Sequence, residues 1–448
     1  MFRAPPRHFC EERLQAEDGG GPTSAVDARN HSPYTGEVMK TKRRIPLLVI
    51  STAAAGFCVS QSAQALDLEA GDWKFSVNGN VNVHYIYSAC DNSTATVTGG
   101  LACNTSGDQQ DNSSSISNGL LPAALTFGIS TLQKGYDIAA HFGLYPGIST
   151  NDGGSPNLES GGSNTALGTT GMDVRQVYMT FGNASMGSFT LGRNFGLFGF
   201  DAIINDMTLP GVGGSGAASS GAPANTTLGG IGYGYIYTDT LAQIDYTTPD
   251  FGGLKLTVGV FDPLNPVGAT APTRKSAPGF HGKAAFTTGP IYLSATFITQ
   301  KQEGVTDASD FTSTGFDVGG KLTFGPGEVM AYYYSGSGMG TTALFNIASD
   351  GLGHERDSDG FIAQATYKLG DTKLGVNYGE SKLDYANNAD RLANPTLVEK
   401  NSKYTAGVYH SLTANLTLLA EYSGVKSEAH NGGEIKANNF NVGAFLSF

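Results

Sequence analysis

Residues 438–448, the C-terminal end of the chain, alternate without a miss. Phe440, Val442, Ala444, Leu446 and Phe448 fall on one parity, and Asn441, Gly443, Phe445 and Ser447 on the other. A period of two is the signature of an extended strand, and this one runs to the carboxylate. Its apolar face needs cover. In a soluble domain a second sheet supplies it. In a barrel that crosses a membrane, lipid supplies it, and the last strand closes the barrel against the first.

The same period recurs along the chain. Alternating segments lie at about 73–88, 121–133, 136–145, 172–182, 188–193, 232–248, 253–262 and 279–287. Eight more lie at about 290–300, 315–324, 328–336, 360–369, 372–381, 403–411, 415–424 and 438–448. In the first, Phe75, Val77, Val81, Val83 and Tyr85 oppose Lys74, Ser76, Asn78, Asn80, Asn82 and His84. One face suits hydrocarbon and the other water. Short turns at 133–135, 183–187, 288–290, 325–327, 370–371 and 412–414 alternate with long Ser/Thr/Asn/Gly-rich loops at 89–120, 146–171, 194–231, 263–278, 301–314, 337–359, 382–402 and 425–437. That alternation is what a barrel with one short-turn rim and one long-loop rim requires. The expected fold is all-β: a transmembrane antiparallel β-barrel of sixteen strands.

The N-terminal region sets the compartment. Met39 opens a basic stretch with Lys40, Lys42, Arg43 and Arg44. An apolar stretch follows, from Ile45 through Val59, and then Ala63-Gln64-Ala65. This is the pattern of a cleavable export signal over 39–65, with residues 66–448 forming the barrel. Residues 1–38 are polar and unpatterned, and translation is expected to start at Met39. The formal net charge of −12 argues against nucleic-acid binding. Beyond the leader no apolar run reaches the ~18 residues a membrane helix needs. Cys90 and Cys103 flank a short polar segment of an exported chain and read as a disulfide. No His/Asp cluster accompanies them, so neither metal nor cofactor is expected.

Three stretches carry a family resemblance. Gly187-Ser188-Phe189-Thr190-Leu191-Gly192-Arg193-Asn194-Phe195-Gly196, continuing to Leu209-Pro210, resembles the fifth strand and third loop of Gram-negative general porins. Asp245-Tyr246-Thr247-Thr248-Pro249-Asp250-Phe251 resembles that family's turn after the sixth strand, and Lys403-Tyr404-Thr405-Ala406-Gly407-Val408-Tyr409 a late-strand motif. Phe448 is similar to the terminal assembly signal taken up by the barrel assembly machinery. The resemblance implies a homotrimer in the cell outer membrane, in contact with lipid and lipopolysaccharide. It also implies a third loop folded into each lumen, its acids facing basic wall residues. Arg193 matches the family's arginine after glycine, and Arg175 a second wall arginine. Between 194 and 231, however, only Asp201 and Asp206 are acidic.

Parity supplies further lumen candidates: Lys74, His84, Lys255, Lys283, Lys321 and Lys368 among the bases, and Asp245, Asp317 and Glu421 among the acids. Arg193 shares parity with Phe189 and Leu191, on the lipid side. A charge there costs about 2–4 kcal/mol at the midplane, and a bend at Gly192 would turn it inward. The expected constriction set is therefore Arg175, Arg193, Asp201, Asp206, Lys283 and Lys321. His84 and His141 read as lumen lining, and Tyr332, Tyr333 and Tyr334 as strand and belt aromatics. The leading function is a water-filled channel for passive diffusion of small hydrophilic solutes, with a weak preference for cations. The alternatives are a solute-specific porin, a non-channel adhesive barrel, and an outer-membrane hydrolase, for which no Gly-x-Ser-x-Gly elbow occurs.

Overall fold

Sixteen antiparallel strands follow one another in chain order and close on themselves. The computed structural model describes residues 66–448 apart from 92, 104, 107–108, 111, 149–171, 216–225, 266–274 and 305. The expected leader at 39–65, and the residues before it, lie outside the described residues. The first strands are β1 (Trp73–Cys90), β2 (Ala124–Gln133), β3 (Tyr136–Pro146) and β4 (Met172–Asn183). Then come β5 (Gly187–Phe195), β6 (Thr240–Thr247), β7 (Leu254–Phe261) and β8 (Gly279–Thr288). The second half holds β9 (Ile291–Gln302), β10 (Phe311–Phe324), β11 (Gly327–Ser337) and β12 (Asp357–Leu369). It ends with β13 (Thr372–Leu383), β14 (Val398–Ser411), β15 (Leu416–Ala429) and β16 (Glu434–Ser447).

The alternating C-terminus makes the seam. β1 pairs with β16 from Asn80 opposite Ser447 to Cys90 opposite Ala437. The last rung belongs to Phe448, which exchanges both backbone hydrogen bonds with Gly79 at 2.9 and 3.0 Å. A Cβ at residue 79 would meet the Phe448 ring at 2.6 Å. Glycine is therefore what lets the terminal aromatic lie across the seam. Two accessory strands lengthen the sheet beside β1: Leu66–Ala70 against its lower part and Ser113–Ser117 against its upper part.

Burial runs opposite to that of a water-soluble protein. On β1, Val81, Val83, Tyr85 and Tyr87 are exposed, while Asn80, Asn82, His84 and Ser88 are buried. An exposed apolar face recurs on the wall strands other than β5, whose residues are half-buried or buried, as a hydrocarbon surround demands. Among the described residues no helix is long and apolar enough to cross a membrane; this chain crosses with strands. Two short turns open with glycine before proline, Gly289 (φ 52°) and Gly325 (φ 56°). Proline holds the second position near φ −65°, so the first must be left-handed, the hairpin geometry that matches strand twist.

Strand boundaries differ from the sequence expectation in two ways. The alternating run from residue 232 is not strand until Thr240. Tyr233, Tyr235 and Ile236 are wholly buried inside the barrel, and Gly232 and Gly234 take positive φ, so a period-two pattern here belongs to a packed loop. Conversely, β10, β12, β14, β15 and β16 run several residues further toward the long-loop rim than the apolar pattern indicated. On β12, β14, β15 and β16 the added rungs carry charged side chains, and on β10 hydroxyl-bearing ones, which break the alternation that marks a membrane strand.

Candidate pore constriction

The barrel interior is crossed by the segment between β5 and β6. After Phe195 the chain turns at Gly199 into a short helix, α1 (Phe200–Asn205), inside the lumen. Phe198 is fully buried and meets Tyr334 edge-on at 6.3 Å, while Tyr235 meets Tyr332 edge-on at 6.5 Å. Tyr332 and Tyr334 thus face inward and only Tyr333 outward, which corrects their reading as belt aromatics: the outward exposure of Tyr333 fixes its neighbours on the opposite face.

Polar wall side chains then hold the loop at successive points. Lys283 on β8 pairs with Asp201 at 2.6 Å, and Tyr292 on β9 donates to the same carboxylate at 2.8 Å. Asp317 on β10 accepts the Gly199 N–H at 2.8 Å and the Tyr332 hydroxyl at 3.1 Å, with Thr296 as a further donor. Gln364 on β12 accepts from Met207 N–H at 2.9 Å and donates to the Asn205 carbonyl. Ser381 on β13 accepts from Gly234 N–H at 2.9 Å. Glu421 on β15 accepts from Val212 N–H (2.9 Å), Gly213 N–H (2.8 Å), the Tyr409 hydroxyl (2.7 Å) and Asn441 (3.1 Å). A loop inside a barrel has backbone donors with no ladder to join, and each needs a partner. Here the wall provides them.

The first loop closes over the third. Cys90, at the top of β1, is disulfide-bonded to Cys103. Beyond it, Leu120 N–H donates to the Gly211 carbonyl at 2.7 Å, Thr227 N–H to the Gly119 carbonyl at 3.0 Å, and the Tyr233 hydroxyl to the Leu101 carbonyl at 2.9 Å.

The six expected constriction residues do not form one cluster. Asp201 and Lys283 meet directly. Asp206 is turned into its own loop, where it accepts from Tyr235 (2.7 Å), Gly230 N–H (2.9 Å) and Thr208. Arg175 is buried near the long-loop end of β4, bonded to Asp173 at 3.0 Å and lying over the Tyr145 ring. Lys321 lies near the short-turn end of β10, 3.5 Å from Glu328. Arg193 is not turned inward: its cross-strand partners are Val177 and Ala242, both on the outward face. Gly192 does adopt φ +124°, but the register beyond it keeps its parity, so no bulge rotates Arg193.

Several wall residues that hold the loop were missed as such. Glu421 and Asp317 were legible only as lumen-parity acids, and Gln364 and Ser381 as ordinary polar lining. Lys403 is also lumenal and almost wholly buried, donating to Thr405 at 3.0 Å and approaching Asn377 at 3.5 Å. Its parity with Thr405 and Gly407 was the available signal. Elsewhere in the lumen Asp245 and His281 are joined at 2.8 Å. Among the described residues no group of three or more His, Cys, Asp or Glu could hold a metal ion.

Residues 50–430 match the sequence model of a family described as Gram-negative porin. No curated protein matches the chain in sequence. The outer membrane channel DcaP of Acinetobacter baumannii shares its fold at TM-score 0.62 and 15% identity, over 85% of this chain and 99% of that one. OmpF of Salmonella typhi, in complex with daunomycin, aligns at TM-score 0.53 and 12% identity over 86% and 100% of the two chains. The trimer form of OmpT of Vibrio cholerae aligns at 0.50 and 15%, over 84% and 99%. At such identities the structural likeness is one of fold. With a closed sixteen-stranded wall, a loop pinned across its lumen and a family match over most of its length, this chain belongs to the Gram-negative porins.

Proposed function

We propose that this outer-membrane porin is a passive channel for small hydrophilic solutes and ions, assembled as a homotrimer and weakly selective for cations. The observation that supports the reading is the third loop, held across the lumen by polar wall side chains. Width, hydrogen-bonding lining and fixed charge are the levers of such a pore. The constriction contributes little net field, because Asp201 is paired with Lys283 and the carboxylates of Asp206 and Glu421 share the lumen with Lys373 and Lys403. The cation preference then rests on the acid-rich long-loop rim, with Asp262, Asp307, Asp350, Glu355, Asp384 and Glu399 among its residues. Such a field acts within about one Debye length, roughly 8–10 Å at ordinary salt.

Planar-bilayer recording tests this directly. An ohmic pore with a cation-favouring reversal potential in a KCl gradient is expected, the preference shrinking as salt rises. Silence, or a clear anion preference, overturns it. Native mass spectrometry is expected to give three chains per particle. The hydrogen bonds between the first and third loops favour one second reading, a solute-specific pore; saturable block by a single solute class would establish it.

A further inference from the structure

Two leucines of the first loop sit on two glycines of the third. Gly229 (φ 56°) and Gly232 (φ 76°) both take positive φ. A Cβ at residue 229 would overlap the Leu120 side chain, and one at 232 would overlap that of Leu101. Each seat is backed by a hydrogen bond between the same two loops. The Tyr233 hydroxyl donates to the Leu101 carbonyl at 2.9 Å, and Thr227 N–H donates to the Gly119 carbonyl at 3.0 Å. The first loop therefore grips the third at two points.

The two seats are secured differently. Beside Leu120, Gly119 N–H donates to the Asn82 side chain at 2.8 Å, and the Asn118 amide donates to the Asn82 carbonyl at 3.0 Å. Ser113–Ser117 adds a ladder to the same strand, so β1 holds this arm directly. Leu101 lies on the other arm, after the chain has left β1 at Cys90 and crossed to the inward side of β14 and β15. There Leu101 N–H donates to Ser427 at 2.9 Å and to Asn401 at 3.2 Å, and Ala102 N–H donates to Ser427 at 3.1 Å. The Asn401 amide donates to the Gly99 carbonyl at 3.1 Å. Thr98 N–H donates to the Thr396 carbonyl at 2.8 Å, and Val398 N–H to the Thr98 carbonyl at 2.9 Å. None of these partners belongs to β1. The tie back to β1 is Cys103, two residues beyond Leu101 and disulfide-bonded to Cys90 across a sequence separation of 13.

We propose that the first loop is a two-point clamp on the third, and that the Cys90–Cys103 bond is its thiol-releasable fastening. The proposal rests on the channel reading and adds what sets the channel's width. Opening takes two exchange steps. The thiolate of a small external thiol attacks one sulfur, the S–S bond breaks, and the other cysteine leaves as a thiolate that takes up a proton. A second thiol then displaces the first from the mixed disulfide. Two protein thiols and one oxidised thiol dimer result, so two electrons pass from the external thiols to the bridge. Cys90 is only partly buried, which leaves the bridge within reach of a small thiol. Residues 91–102 then regain the conformational freedom that the cross-link removed. Leu101 leaves Gly232, and water reaches the inward face of β14 and β15. Leu120 keeps its seat because its fastening is to β1. The wall bonds from Asp317, Gln364 and Glu421 also persist, so the pore widens without losing its third loop.

The test uses the folded protein in detergent and in planar bilayers, with dithiothreitol as the thiol. Hydrogen exchange read by mass spectrometry is expected to accelerate about tenfold over residues 229–235 on reduction, and to hold steady over 207–213. Conductance is expected to rise by about half on reduction and to fall back on reoxidation. C90S/C103S is expected to start at the higher conductance and to ignore dithiothreitol. L101A, with the bridge intact, is expected to reproduce the higher conductance, a result that a merely structural bridge does not predict. Should C90S/C103S not assemble, reduction of the folded wild type carries the same test. Exchange over 229–235 that ignores reduction, a conductance unmoved by reduction or by L101A, or a bridge that dithiothreitol cannot open in the folded protein overturns the proposal. A wild type silent in bilayers defeats the channel reading instead, and the exchange result then decides the clamp.

Discussion

At the scale of single residues, two contacts decide whether this barrel closes and whether its lumen stays narrow. Gly79 leaves room for the Phe448 ring, and an added Cβ there would also press the Ala124 carbonyl at 2.5 Å. Gly79→Val is expected to lower the thermal midpoint of heat-modifiable gel mobility, consistent with an overpacking cost of about 1–3 kcal/mol; an unchanged midpoint would remove the seam from the account. Glu421 serves four donors at once, two of them loop amides. Leaving buried donors unpaired costs about 1–3 kcal/mol each, and the loop can respond by moving. Glu421→Ala is therefore expected to raise conductance and open-channel noise while the folded mobility of the barrel persists. Quiet, unaltered currents would show that this carboxylate does not hold the loop. Both positions were visible in the sequence, one as a strand glycine and one as a lumen-parity acid. What each one touches was not, because those partners come from 369 and about 210 residues away along the chain.

Elements show the same division. The sixteen strands were legible wherever one face meets lipid, since the solvent on each side imposes a strict period of two. They were illegible where β14–β16 rise out of hydrocarbon and outward positions become charged. The 232–239 run shows the converse, an alternation produced by loop packing on both sides. Among the outer loops the clearest electrostatic joint lies between Arg356 and α2 (Asn388–Ala393), where Asp390 takes two guanidinium N–H bonds at 2.6 and 2.7 Å. Those bonds, with backbone and Asn394 donors, hold the Asp390 carboxyl down at about 2. A carboxyl lowered in the folded state stabilises above its ordinary value and loses that contribution as pH falls through the depressed one. Protection of the Ala386–Asn394 amides, relative to the free-peptide exchange rate at each pH, is expected to hold from pH 8 to 5 and to fall only as pH drops from about 4 toward 2. A loss of protection already complete by pH 5 would contradict the joint.

On the scale of the whole molecule, the sign of the charge and its location have to be kept apart. The chain is acidic overall, yet the acids that hold the third loop stand beside the lumenal bases Lys283, Lys373 and Lys403. Selectivity is accordingly expected to be weak, set at the rim and sensitive to salt. Reversal potentials measured from 0.1 to 1 M KCl should drift toward zero, since the Debye length falls from about 10 to 3 Å across that range. A salt-independent preference would place the selecting charge in the constriction instead. By itself the amino-acid order determined the wall: the number of strands, which face meets lipid, which rim carries long loops and where the seam lies. These are local consequences of alternating polarity and turn chemistry, readable a few residues at a time. Only the tertiary structure decided which side chains grip the third loop and that Arg193 stays outside. Those facts depend on register between strands that meet only when the barrel closes, and no local pattern carries that information.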